Sequence, residues 1–226
     1  MKNSEKTELI NYLSSFISDK RKARFNEIIS NRTSHLRIVL ENVYQAHNAS
    51  AVLRSCESFG IQYVHFIENK NHLKISKDVD LGSSNWLTIK RHNSSDNNTI
   101  EAITHLKKLG YRIVATSPHK KDCTIDKLPV EKKLALIFGT ELDGVSQEVL
   151  DMADEFVEVP MFGFTESFNV SVCAGICMYE LTKRMRNAQN NYLLTDQEKL
   201  DVYFEWMKTT VDKSKSLIEN FLKNKL

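Results

Sequence analysis

Three short stretches hold side chains whose types and spacing could do chemistry. The first is Asn42-Val43-Tyr44-Gln45-Ala46-His47-Asn48-Ala49-Ser50-Ala51-Val52-Leu53-Arg54, with Asn48 six residues ahead of Arg54. Asn48 is placed to cap a helix, and Arg54 falls near its second turn. A guanidinium carries a fixed positive charge and does not readily release a proton. Arg54 therefore suits gripping an anion or offsetting developing negative charge. The second stretch, Leu136-Ile137-Phe138-Gly139-Thr140-Glu141-Leu142-Asp143-Gly144, runs an apolar segment into a glycine turn whose backbone amides are free, just before a helix start at Ser146. The third, residues 157–171, passes Val159, Pro160 and Met161 and then sets Ser167, Phe168, Asn169 and Ser171 directly ahead of an apolar run. Each also has a plain structural reading: a cap with a surface arginine, a strand–turn–helix junction, and a set of N-caps.

The elements that must position these residues alternate in type. Leu36–Leu40, Ile61–Ile67, Tyr111–Ala115, Leu134–Phe138 and Glu155–Val159 read as strands, with a shorter one at Trp86–Ile89. Helical patterns cover Ala49–Phe59, ended by Gly60; Ile100–Leu109, ended by Gly110; Ser146–Ala153; and Asn169–Arg186. Such alternation implies an α/β class, with a mostly parallel sheet covered on both faces. Sheets of this kind bind ligands beyond the carboxyl ends of their strands, which singles out the loops after Ala115, Phe138 and Val159. Residues 4–30 form one or two amphipathic helices, and the tail from Thr195 is helical, with Thr195 and Glu198 spaced as a capping box.

Composition narrows the class further. The chain has 226 residues, room for one sizeable α/β core with appended helices. No stretch approaches the roughly 18 apolar residues of a membrane span. The start, MKNSEKTELI, lacks the apolar core of a secretory signal, so the expected location is the cytoplasm. Cys56, Cys123, Cys173 and Cys177 match no zinc or disulfide framework; the last two, four apart in an apolar run, read as small core residues. Neither G-x-G-x-x-G nor G-x-x-x-x-G-K-[ST] occurs, which argues against a dinucleotide fold and a P-loop enzyme. Residues 1–40 carry eight Lys/Arg against four Asp/Glu and residues 181–226 nine against six, whereas residues 41–180 carry fourteen against nineteen. Basic ends on an acidic centre suit flanking segments that meet a polyanion; lysine-rich solvated helix faces produce the same pattern.

In this order and spacing, the three stretches closely resemble the motifs of the SpoU/TrmH family of SPOUT methyltransferases: Asn48 and Arg54; Gly139, Glu141 and Gly144; Pro160, Ser167, Asn169 and Ser171. The resemblance runs over residues 36–187. It implies an α/β SPOUT domain with a deep C-terminal trefoil knot, an exception to the rule against knotted chains. It further implies S-adenosyl-L-methionine as cofactor, methyl transfer to a ribose 2′-hydroxyl of RNA, a homodimer, and no metal. By position, the cofactor pocket draws on Thr116, Gly139, Val159, Met161 and Phe168. Arg54 is the residue expected to act on the RNA, Asn48 to orient the ribose, and Glu141, Ser167 and Asn169 to hold the hydrogen-bond network.

The domain organisation expected from this likeness is a basic helical extension over 1–35, the catalytic domain over 36–187 and a helical extension over 188–226. Extensions at both ends resemble the branch that methylates guanosine 18 of tRNA, with Lys20, Arg21, Lys22, Arg24, Arg32 and Arg37 as candidates for RNA contact. Tyr203, Phe204 and Trp206 are either base-stacking groups or a helix face packed on a core. Glu166 departs from the Gln that relatives often carry and sets a carboxylate beside the site. Ribosomal RNA, another tRNA position, or a non-catalytic RNA-binding role on the same scaffold remain the alternatives.

Overall fold

The apolar runs become the inner strands of a seven-stranded sheet in which every pairing is parallel. In chain order the strands are β1 (Leu36–Glu41), β2 (Tyr63–Ile67), β3 (Thr88–His92), β4 (Arg112–Thr116), β5 (Cys123–Thr124), β6 (Leu134–Phe138) and β7 (Glu155–Glu158). Across the sheet they run β3-β2-β1-β6-β4-β7-β5. The computed structural model describes all residues except Leu73, Pro118, His119, Lys121, Glu141, Leu142, 189–191 and 225–226. Its helices are α1 (Asn3–Ser14), α2 (Asp19–Ile29), α3 (Ala46–Phe59), α4 (Lys77–Asp80), α5 (Asn98–Lys108), α6 (Gln147–Met152), α7 (Val170–Asn187), α8 (Asp196–Thr210) and α9 (Ser214–Lys223).

β1 and β6 lie at the centre and are buried throughout, as strands covered on both faces must be. Their register pairs Leu36 with Leu134 and Leu40 with Phe138, so Glu41 and Gly139 leave the sheet side by side. One apolar cluster gathers Leu36, Ile38, Leu40, Val52, Leu53, Leu136 and Phe138 with Ala174, Cys177, Met178 and Leu181 of α7. A second gathers Val39, Ile67, Ile113, Ala115 and Ile137 with Ala102, Ile103 and Leu106 of α5 and Val149 of α6. α3 ends at Gly60, whose φ of 77° closes the helix in the left-handed conformation that glycine adopts without strain.

Three expectations shift. α3 begins at Ala46 with Gln45 at its N-cap position, so Asn48 lies inside the first turn rather than capping it. The edge strand expected at Trp86–Ile89 forms at Thr88–His92, because Ser83–Trp86 winds into a 3-10 turn. The C-terminal tail is two helices: Val211 ends α8, and Lys213, at φ 52°, turns the chain into α9.

The described residues divide into two compact units: Thr33–Tyr192, which holds the sheet, and Met1–Arg32 together with Leu193–Leu226. The second unit is all helical. Leu9, Leu13, Phe25, Phe204, Trp206 and Met207 are buried in it. Phe25 meets Tyr203 and Trp206 edge-on, at centroid separations of 5.7 and 5.4 Å, and Tyr12 meets Phe221 at 4.8 Å. Lys6 pairs with Asp201. Thr195 and Glu198 form the capping box that starts α8. Phe204 and Trp206 therefore belong to an apolar core.

A chain of polar side chains runs from β1 through β2 and β3 to α5. Arg37 Nη1 donates to His65 Nε2 at 3.2 Å, His65 Nδ1 faces His92 Nε2 at 3.0 Å, and His92 Nδ1 faces Glu101 Oε2 at 2.7 Å. A guanidinium can only donate, so His65 Nε2 accepts, its Nδ1 carries the hydrogen, and the same order repeats at His92. Burial, then the nearby charge of Arg37, pushes the His65 imidazole down to a pKa of about 2.

Candidate active site

The loops at the carboxyl ends of β4, β6 and β7 close around a cavity of about 340 Å³. All five residues expected to hold a cofactor (Thr116, Gly139, Val159, Met161 and Phe168) line it, together with Ser167. The turn after β6 is tightly built. Thr140 N–H donates to the Gly144 carbonyl at 2.9 Å, Gly144 N–H returns to the Thr140 carbonyl at 3.2 Å, and Asp143 N–H donates to Thr140 Oγ1 at 3.0 Å. A Cβ on Gly139 would stand 2.0 Å from the Gly144 carbonyl oxygen, so only glycine fits where the turn folds back on itself. Thr116 Oγ1 donates to the Ile137 carbonyl at 3.0 Å, tying the loop after β4 to β6.

The first and third sequence stretches meet here. Asn169 caps α7: its Oδ1 accepts from Ser171 N–H at 2.9 Å and from Ser171 Oγ at 2.6 Å. Its Nδ2 donates to Asn48 Oδ1 at 3.1 Å, and Asn48 Nδ2 donates to Gln45 Oε1 at 3.0 Å. Residues 121 positions apart thus share a hydrogen bond that orients both amides. Arg54, two turns along α3, is exposed and does not line the cavity. Among the described residues no hydrogen bond or ion pair engages its guanidinium. Glu141 lies outside the described residues.

The RNA candidates separate into two groups. Lys20, Arg21 and Arg24 are exposed on α2, while Lys22 is half-buried. Lys22 pairs with Asp19 and Arg24 with Glu27, each at 2.9 Å. Arg32 and Arg37 depart from expectation: they are 1% and 9% exposed, and phosphate cannot reach either in this chain. The Arg32 guanidinium lies over Trp206 at 5.4 Å; that of Arg37 lies between Tyr63 and Tyr111, at 4.3 and 4.5 Å. Planar guanidinium stacks on aromatic faces, and that use took precedence over surface contact.

Several cavity residues were not foreseen. Asp143, Glu158 and Lys120 line it beside Glu166, whose carboxylate was expected there, and Cys173 forms part of the wall from α7. The hydrogen bond between Cys177 and Cys173 holds the Cys173 thiol below the usual range and pushes Cys177 above it. Cys173 stands four residues after Asn169, one helical turn on, and that spacing is the signal that could have placed it at the cavity. The lining pairs an apolar slot (Phe138, Val145, Val157, Val159, Met161) with carboxylates at its edge. An adenine ring fits the former and a cationic sulfonium the latter, so the residues present suit S-adenosylmethionine. Among the described residues, no cluster of three or more His, Cys, Asp or Glu could hold a metal ion, and no helix is long and apolar enough to cross a membrane.

A parallel sheet whose carboxyl-end loops enclose one mixed apolar and acidic cavity defines an α/β ligand-binding domain of enzyme type. Comparison with known proteins specifies it. Residues 35–179 match the model of the SpoU rRNA Methylase family. The chain is 42% identical to a tRNA (guanosine(18)-2′-O)-methyltransferase of Borreliella burgdorferi, over 94% of this chain and 95% of that one. It is 30% identical to the enzyme of the same name from Escherichia coli, over 82% and 81%. The crystal structure of the A. aeolicus TrmH/SpoU tRNA modifying enzyme superposes with a TM-score of 0.75 at 29% identity, covering 86% of this chain and 98% of that one. The chain belongs to the SpoU family of RNA methyltransferases.

Proposed function

We propose that this chain methylates the 2′-hydroxyl of guanosine 18 in tRNA, using S-adenosylmethionine. The observation that carries this reading is the convergence of Thr116, Gly139, Val159, Met161, Ser167 and Phe168 on one cavity, beside the hydrogen-bonded pair of Asn48 and Asn169. The 42% identity over nearly the whole chain to an enzyme named for guanosine 18 supports the substrate. Bound S-adenosylmethionine supplies an activated methyl group on a sulfonium centre. Methyl transfer to an oxygen is an in-line displacement, so the chain's work is alignment and charge. The Gly139–Gly144 turn and the Val159–Phe168 loop would hold the cofactor. Asn48, oriented by Asn169, would fix the ribose. Arg54, exposed and free of a partner among the described residues, would grip the neighbouring phosphate and offset negative charge as the hydroxyl proton departs.

The same reading includes a trefoil knot, a homodimer and a cytoplasmic site of action. Val172, Ile176 and Tyr179 form an exposed apolar stripe on α7 at i, i+4 and i+7, the spacing of one helix face. A second copy of the chain is the occupant we assign to it. Phe162 and Phe164 are almost fully exposed in the loop before α7. The basic face of α2 is assigned to the tRNA backbone.

The deciding experiment is methyl transfer from labelled S-adenosylmethionine to unmodified tRNA transcripts with and without a substitution at guanosine 18, run for the native chain and Arg54→Ala. Transfer lost with the substituted transcript supports the reading. Transfer that persists moves the target to another nucleotide, and no transfer to any RNA favours a non-catalytic RNA-binding role. Arg54→Ala is expected to abolish transfer while S-adenosylmethionine binding and a dimeric sedimentation coefficient persist; normal turnover in that variant removes Arg54 from the mechanism.

A further inference from the structure

We infer that Glu41 is a positioning residue for the cofactor turn, acting through Ser146. Glu41 ends the central strand β1, one place beyond the Leu40–Phe138 pairing, and is 1% exposed. A carboxylate that deep needs partners, and three donors converge on it. Its Oε1 accepts from Thr99 Oγ1 at 2.7 Å and from Ser146 Oγ at 2.6 Å, and its Oε2 accepts from Ser146 N–H at 2.8 Å. Thr99 sits in the first turn of α5 and is itself fully buried. Ser146 is the N-cap of α6, and its Oγ also accepts from Val149 N–H at 3.4 Å.

The consequence falls on the loop between. The turn Gly139–Gly144 leaves β6 beside Glu41 and must arrive at Ser146 two residues after Gly144. Its entry is held by the strand register, and its exit by two short bonds from Ser146 to a single buried carboxylate. Hydrogen bonds to a charged acceptor are roughly twice as strong as neutral ones. The turn therefore spans two fixed points on adjacent strands' ends, and Gly139, Thr140, Asp143, Gly144 and Val145 line the cavity from a fixed frame. Glu41 does not line the cavity, so any effect it has on the cofactor passes through Ser146. Its neighbour Asn42 plays the matching part for the loop after β2. Its Oδ1 accepts from Asn69 N–H and Lys70 N–H, both at 2.9 Å.

This inference rests on the reading of the Gly139–Gly144 turn as the cofactor cradle, and the test separates the two. In Glu41→Gln the Ser146 and Thr99 hydroxyls can turn to suit an amide, but the carboxylate charge that holds the Ser146 main-chain N–H is gone. S-adenosylmethionine binding to the full-length chain is measured by calorimetry for Glu41→Gln, Ser146→Ala and the double variant, well below their melting temperatures. The expected result is about tenfold weaker binding for Glu41→Gln, a raised KM for S-adenosylmethionine with kcat at saturation nearly kept, and unchanged tRNA affinity. The double variant should be little worse than the weaker single. A purely structural role predicts the opposite: a lowered melting temperature with cofactor affinity intact, or two independent losses that add. Should Glu41→Gln not fold, unchanged cofactor affinity in Ser146→Ala overturns the proposal by itself. Gly139→Ala serves as the reference. If it leaves cofactor affinity intact, the cradle reading falls and the Glu41 proposal with it; if it weakens binding while Glu41→Gln does not, only the latter falls.

Discussion

Two polar networks lie on this sheet, and only one of them borders the candidate site. From β1 to α5, Arg37, His65, His92 and Glu101 form a chain with a cation at one end and a carboxylate at the other. His65 and His92 use both ring nitrogens within it, and none of the four lines the cavity. At the carboxyl ends of the strands, Glu41–Ser146 and Asn48–Asn169 each fasten a loop that lines a cavity. Titratable residues in a cluster do not by themselves mark chemistry. What distinguishes the second region is unfilled space next to fixed backbone.

The sharpest way to break that contrast is Gly139→Ala. The added methyl cannot coexist with the Gly144 carbonyl, so the turn must open. Cofactor affinity should fall by about 5- to 150-fold, given a strain of order 1–3 kcal/mol placed on the cradle itself. Calorimetry with S-adenosylmethionine checks this, and affinity within twofold of native would remove the turn from the site.

The closed network answers to pH rather than to cofactor. His65 titrates near 2 in the folded chain, mainly through burial and then Arg37, with His92, His105 and Lys90 adding to the shift. In the unfolded chain it titrates near 6.5, so below pH 6.5 the unfolded state takes up a proton that the native state refuses. Stability is therefore lost as pH falls, by about 1.4 kcal/mol between pH 7.5 and 5.5. His65→Gln keeps an acceptor for Arg37 and a donor for His92 and should lose this component, with cofactor affinity unchanged. Urea unfolding at the two pH values measures it; an identical pH dependence in the variant would contradict the assignment.

The smallest expected effect lies outside both networks, on α2. Replacing Lys20, Arg21, Lys22 and Arg24 with Gln should weaken tRNA binding several-fold and lower the salt slope by about 2, since Lys22 and Arg24 are already paired with Asp19 and Glu27. Replacing Lys20 and Arg21 alone should give most of the change. Filter binding across a salt series decides, and an unchanged slope returns α2 to a solvated helix face.

The sheet was legible because its inner strands are short apolar runs between glycine and polar breaks, and Leu134–Phe138 was read to the residue. The edges were not. Cys123–Thr124 is too short to carry a pattern, and Lys90-Arg91-His92 hides a strand behind polar residues. The residues that line the cavity were legible by likeness to a family, not by spacing. Arg32 and Arg37 were misjudged because their aromatic partners arrive from distant segments, Trp206 for one and Tyr63 with Tyr111 for the other. Asn48 reads as a cap until Asn169 is folded beside it. Glu41 was passed over because a charge at the end of an apolar strand looks like an exit to solvent.

The helical unit made from both chain ends has a consequence for biosynthesis. α1 and α2 leave the ribosome before α8 and α9, yet Phe25 needs Tyr203 and Trp206, Tyr12 needs Phe221, and Lys6 needs Asp201. Contacts separated by nearly the full length of the chain form last, after their loop-closure cost has been met. The basic helix therefore gains its scaffold only when synthesis has passed α9. A nascent or C-terminally truncated chain can complete the sheet while still lacking a firmly mounted α2.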